Sequence, residues 1–242
     1  MVFDGKGMKE RSIAIITARG GSKRIPGKNI KDFCGKPIIV YSIEAAQKSK
    51  CFDEIMVSTD SKEIADIAIS YGASVPFFRN EKNSDDYATT SDVLLEVLGR
   101  YLENNMTFQY GCCIYPTAPF VSESRLREGM EKLMDSEADT VMPMVAYSYP
   151  PQRGFVIRNG HFVMEHPEYL KTRSQDIEKI YHDCGQFYCF RVESFIHNAN
   201  LLSGLIDGII IPGTEVQDID TIEDWNLAEM KYSIYKTKQK LM

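Results

Sequence analysis

The densest group of residues able to do chemistry is Arg19-Gly20-Gly21-Ser22-Lys23, with Lys28 and Asn29 close behind, directly after the apolar run Ser12–Thr17. Glycines let backbone N–H groups approach an anion, a serine hydroxyl adds a donor, and Arg19, Lys23 and Lys28 supply compensating charge; these types fit phosphate. At the end of a strand in an open α/β sheet, such a loop lies at the carboxyl edge, where ligands bind. Two commoner nucleotide motifs are excluded. A Walker loop needs G-x-x-x-x-G-K-[ST], whereas five residues separate Gly21 from Gly27 and Asn29 stands where Ser or Thr would hold magnesium. The G-x-G-x-x-G spacing of dinucleotide folds is also missing. The competing reading is a surface loop whose glycines only make turns.

A second constellation lies near the end, in VQDIDTIEDW. Asp218 and Asp220 are one residue apart, so in extended backbone both carboxylates point to one side. Hard oxygen ligands at that spacing suit Mg²⁺, which takes one or two carboxylates plus water and substrate phosphate. The alternative is that Asp220 or Thr221 caps the following helix, with Glu223 or Asp224 completing a capping box.

The elements that must position these groups alternate along the chain. Short apolar runs at Ser12–Thr17, Glu54–Ser58 and 112–115 are interleaved with helical periodicity at 38–48, 62–71 and 91–104. Strands apolar throughout suit a parallel sheet covered on both faces. A helix over 122–135 with Ser122 as N-cap, a strand at Thr140–Ala146, further strands near 185–190 and 208–211, and a helix over 222–235 complete the pattern. GFVIRNGHFVME reads as a hairpin turning at Asn159-Gly160. The expected architecture is a Rossmann-like, doubly wound, mainly parallel sheet forming a single domain over 8–242. An inserted segment at 147–172 is expected to act as a lid or dimerisation arm, and residues 1–7 as a flexible N-terminus.

Bulk properties narrow the partners. A net charge of -6 argues against a general basic field for nucleic acid, so anion binding must be local. The six cysteines show no CxxC pair, which points to reduced cytoplasmic thiols, and the opening MVFDGKGMKER has no signal or membrane-spanning pattern. Histidines 161, 166 and 197 show no ligand spacing.

The motif ARGGSKRIPGKNI closely resembles the opening motif of the CMP-sialic acid synthetase family of cytidylyltransferases, and the likeness extends over nearly the whole chain. The resemblance implies that Arg19, Ser22, Lys23, Lys28 and Asn29 hold a triphosphate, together with the backbone of Gly20 and Gly21. It also implies that Arg79 and Thr90, within FFRNEKNSDDYATTSD, recognise cytosine, that Asp218 and Asp220 bind Mg²⁺, and that Arg19, Lys28 and the two aspartates are catalytic. Read alone, Thr90 is equally an N-cap for the helix that follows.

The acceptor segments depart from the sialic acid enzymes. Tyr115 stands where those enzymes have glutamine before a PTSP-type motif, and Cys184-Gly185-Gln186-Phe187-Tyr188 replaces their NGAIY. TRSQD followed by YHDCGQFY resembles the branch of the family that activates pseudaminic acid, for surface or flagellar glycans. Tyr115 and Phe187 would suit methyl and acetamido groups better than a hydroxylated tail. The resemblance makes Tyr115, Thr117, Gln186, Phe187 and Tyr188 candidate acceptor contacts. Arg153 and Arg173 are expected from a partner subunit in a homodimer with shared sites, and His182 is a candidate contact. The other readings are a cytidylyltransferase for N-acetylneuraminic, legionaminic or keto-deoxyoctonic acid and, from another class, a catalytically silent nucleotide-binding module.

Overall fold

The computed structural model describes residues 10–241, so the expectation for residues 1–7 lies outside the described residues. In chain order the strands are β1 Ser12–Thr17, β2 Asp32–Phe33, β3 Lys36–Pro37, β4 Glu54–Ser58, β5 Tyr110–Ile114, β6 Thr140–Ala146, β7 Phe155–Arg158, β8 His161–Met164, β9 Tyr181–Asp183, β10 Phe187–Arg191 and β11 Ile206–Ile210. The helices are α1 Ile39–Ser49, α2 Lys62–Ser70, α3 Thr90–Glu103, α4 Glu123–Asp135, α5 Val192–Asn198 and α6 Ile222–Leu241.

The central sheet runs β11-β6-β10-β5-β1-β4, with β9 added against β6. β1 is parallel to β4 and β5, and β11 is parallel to β6. β10 enters antiparallel between β5 and β6, and β9 pairs antiparallel with β6, so the sheet is mixed rather than mainly parallel. Because β1 is bordered by two parallel strands, the loop leaving its carboxyl end opens at the edge where such sheets bind ligands.

Alternation along the strands sorts side chains onto two faces. Ala14, Ile16, Cys112 and Ile114 pack with α1, α2 and α4, while Ile13, Ile15 and Cys113 pack with α3 and α5. Gly111 belongs to neither set because a methyl there would overlap the Phe190 ring. A third, aromatic cluster joins Ile25, Phe33, Tyr41 and Phe120 to Ile219, Trp225 and Tyr232.

The Asn159-Gly160 turn is present, with both residues at positive φ between β7 and β8, as a two-residue hairpin with this sequence requires. Ser122 caps α4 by accepting from the Arg125 N–H. Among the described residues no helix is long and apolar enough to cross a membrane.

Phe187 corrects an expectation. It is fully buried among the residues packed under α4, beside Gly129, and so lines no acceptor cavity. The strand puts Tyr188 on the opposite face, where it meets Tyr115. Phe187→Ala should therefore act on stability: a loss of about 3–5 kcal/mol from the cavity left behind, visible as a melting temperature lower by roughly 10 °C. A change confined to acceptor kinetics would contradict this placement.

Candidate active site

The root of the basic loop is tied to the sheet by Ala18, whose N–H donates to the Ser58 carbonyl at 2.9 Å. Asn29 is buried and its side-chain amide donates to the Arg19 carbonyl at 2.8 Å, which folds the loop back on itself. The Gly20 N–H donates to Asp60 at 2.8 Å and the Ser22 N–H to the Gly20 carbonyl at 3.0 Å. Around this frame opens a cavity of about 420 Å³ lined by Arg19, Ser22, Lys23, Arg24, Lys28 and Thr90 among others. Four cations on one small cavity make an anion site. Lys31 and Lys36 lie instead over the Trp225 and Tyr41 rings, at 5.3 and 4.1 Å.

Asp86 was not anticipated. Its carboxylate accepts from Arg19 at 2.8 Å and from Lys23, and these two hydrogen bonds hold its pKa below the usual carboxylate range. Arg19 also donates to the Asp85 carbonyl at 2.9 Å. Two of the anticipated triphosphate cations thus hold an internal anion. Nothing in local periodicity signals a pairing across more than sixty residues.

The aspartate pair stands at the far side of the same cations. Asp220 is 2.9 Å from Arg24 and 3.7 Å from Lys28, and Lys28 Nζ also donates to the Ile219 carbonyl at 2.7 Å. Ile219 is buried in the aromatic cluster, so the flanking carboxylates both turn away from it. Asp218 opens on a second cavity of about 540 Å³, whose wall includes Ser148, His182 and Gln217. Partial enclosure of its carboxyl, and then the charge of Asp220, push the Asp218 pKa up. Capping of α6 falls to Thr221 and Asp224, which exchange hydrogen bonds of 3.2 and 2.8 Å, so neither aspartate of the pair is consumed as a cap. Among the described residues no three His, Cys, Asp or Glu side chains converge on one point. The pair is accordingly an open donor set that a hard cation could share with phosphate oxygens.

Thr90 is not the N-cap; Thr89 is, in a capping box with Asp92, because the third residue after Thr89 is the acidic one. Thr90 instead faces the first cavity, with its hydroxyl 3.4 Å from that of Tyr115. Tyr115 and Thr117 line the same cavity. Arg79 does not: it is 8% exposed, donating to the Ser58 hydroxyl and carbonyl at 3.0 and 2.6 Å, with its pKa lowered by burial. Tyr188 donates to Asp183, and Gln186, also buried, donates to the Glu215 carbonyl at 2.6 Å. Arg153 and Arg173 sit apart from both cavities, near one another: Arg153 donates to Ser174 at 3.1 Å and Arg173 to Asp176 at 2.7 Å.

A phosphate-sized basic cradle at the carboxyl end of a central strand, facing a pair of carboxylates, defines a nucleotide-binding α/β protein. Residues 13–202 match the family model described as cytidylyltransferase, and the chain belongs to that family. It is 38% identical over 225 residues to the pseudaminic acid cytidylyltransferase of Campylobacter jejuni, covering 93% of this chain and 97% of the relative. It is 34% identical over 228 residues to the CMP-N,N'-diacetyllegionaminic acid synthase of Legionella pneumophila, covering 90% and 95%. The solved structure of a CMP:2-keto-3-deoxy-manno-octonic acid synthetase complexed with CTP has the same fold, with a TM-score of 0.67 at 18% identity over 94% of this chain and all of that one.

Proposed function

We propose that this protein transfers CMP from CTP to the anomeric hydroxyl of pseudaminic acid, releasing pyrophosphate. The observation that carries this reading is the arrangement of Asp218 and Asp220 between two cavities, one basic and sized for a triphosphate, the other beside Asp218 and free for an acceptor. The likeness to the Campylobacter enzyme supports the choice of acceptor.

In this reaction the anomeric oxygen attacks the α-phosphorus, the bond to the pyrophosphate oxygen breaks, and the hydroxyl proton is released. Arg19, Ser22, Lys23 and Lys28, with the loop backbone, hold the triphosphate and spread its charge, so catalysis is positioning and electrostatic stabilisation. Thr90 and Tyr115 bound the first cavity beyond its cations, and Arg79, through Ser58, braces the strand end to which the root of the loop is tied at Ala18. Asp218 and Asp220 would hold Mg²⁺, which would neutralise charge at the α-phosphate.

The 147–172 segment, with Phe155, Ile157 and Phe162 each more than 60% exposed, is proposed to pair with a second copy and carry Arg153 to that copy's site, with Arg173 just beyond it. The six thiols, none paired, fit a cytoplasmic enzyme.

Competition between pseudaminic, legionaminic and N-acetylneuraminic acids, with CTP and Mg²⁺ and mass detection of the CMP-linked product, tests reaction and acceptor together. The pseudaminic product should dominate. Exclusive use of another acid would replace the acceptor, and no product would leave only nucleotide binding.

Asp86→Asn is expected to lower KM for CTP about two- to fivefold with little change in kcat, because the triphosphate no longer displaces a charged competitor from Arg19 and Lys23. The effect is small because exposed ion pairs are weak. An increase in KM would make Asp86 part of the binding machinery.

A further inference from the structure

The second cavity contains one side chain whose chemistry is set by its neighbours. His182, at the centre of β9, forms part of the wall that also holds Asp218. Its ring lies against Tyr147, with centroids 4.6 Å apart. Its Nδ1 is 2.8 Å from the Asp183 carbonyl oxygen. A carbonyl only accepts, so Nδ1 carries the proton, and in the neutral ring Nε2 keeps its lone pair. Among the described residues Nε2 has no hydrogen-bond partner.

Of the other polar side chains of that wall, the Ser148 hydroxyl is also without a hydrogen bond among the described residues, but it can rotate and both donates and accepts; the aspartates, Gln217 and Lys231 are engaged. Asp183 accepts from the Gly185 N–H at 2.7 Å and from the Tyr188 hydroxyl. Lys231 donates to the Val216 carbonyl at 3.0 Å and to Gln217 at 2.9 Å. Asp218 belongs to the cation pair. His182 therefore offers a fixed acceptor that no described residue uses. Sugar hydroxyls both donate and accept and can be satisfied by many neighbours, whereas an amide N–H only donates and loses affinity if it is buried unpaired.

We propose that His182 is a specificity-determining residue, its Nε2 accepting the amide N–H of an acylamino substituent on the sugar acid. This rests on the reading of the acceptor as a nonulosonic acid with two acylamino groups. The tilted ring contact with Tyr147 and the bond to Asp183 fix where that N–H must lie. The acceptor is thereby recognised through nitrogen rather than only through the size of its substituents.

The test compares wild type with His182→Asn and His182→Gln, since a glutamine amide reaches the place of Nε2 and an asparagine amide only that of Nδ1. Each is assayed at saturating CTP with the diacylamino acid and with analogues in which one or the other acylamino group is an azide, which lacks the N–H. His182→Asn should raise the acceptor KM about tenfold, leave KM for CTP unchanged, and be largely reversed in His182→Gln. One azido analogue should cost wild type about tenfold yet cost His182→Asn nothing further. An unchanged acceptor KM in His182→Asn, an equal azide penalty in both proteins, or a parallel rise in KM for CTP would overturn the proposal. Absence of any CMP-linked product from wild type, seen before a variant is made, would overturn the acceptor reading and this proposal with it.

Discussion

Asp218→Asn is expected to lose about a thousandfold in turnover and yet melt slightly higher than the parent at neutral pH. The side chain keeps its shape but loses the charge that a divalent cation needs, and the remaining Asp220 is already shared with Arg24 and Lys28. The stability effect follows from the raised Asp218 pKa, caused first by enclosure and then by Asp220. An acid that binds its proton more tightly folded than unfolded favours folding below its unfolded pKa. That contribution is lost as pH rises to the folded value. Above it, the ionised carboxylate is the less stable state, and asparagine removes that penalty. Because the residue is exposed at the cavity mouth, screening limits the gain to about 1 °C. Product assays and melting curves at pH 7 check both halves. Turnover within tenfold of wild type would remove Asp218 from the reaction, and a lower melting point would contradict the repulsion.

Lys28→Ala is expected to cut kcat/KM for CTP by about a hundredfold. Lys28 Nζ touches both the first cavity, proposed to hold the triphosphate, and the Ile219 carbonyl, so its loss should remove a cation from that cavity and also unpin the backbone between the two aspartates. The acceptor KM, measured at saturating CTP, should move much less. Initial-rate kinetics with each substrate varied in turn separates the two effects. Unchanged kinetics would mean that the loop does not hold the triphosphate.

Where a segment's own pattern decides its structure, the sequence was legible. β1, β4 and β6 fall at the expected limits because each is a short apolar run. The Asn159-Gly160 turn is equally local. What escaped depends on partners far along the chain. β10 inserts antiparallel between β5 and β6, and β9 adds to β6, pairings that no periodicity predicts. Phe187, Tyr188, Cys189 and Phe190 are all apolar enough for either face, so the choice that buries Phe187 and leaves Tyr188 against Tyr115 was not readable. Thr89 could have been recognised as the cap, since Asp92 stands three residues on. The spacing of Asp218 and Asp220 held its meaning because Ile219, between them, is a core residue.

The aromatic cluster beneath that isoleucine has a consequence for synthesis of the chain. It gathers Ile25 of the basic loop, Phe33 and Tyr41 from the first fifth of the sequence, and Trp225 and Tyr232 of α6. As the polypeptide leaves the ribosome, the amino-terminal loop can be made and even tethered to β4 through Ala18 and Ser58 long before its foundation exists. The cradle acquires its floor only when residues 219–232 emerge. In the proposed reaction catalytic competence is therefore a late event in biogenesis, and a chain arrested short of α6 would carry the whole basic loop without the support that aligns it.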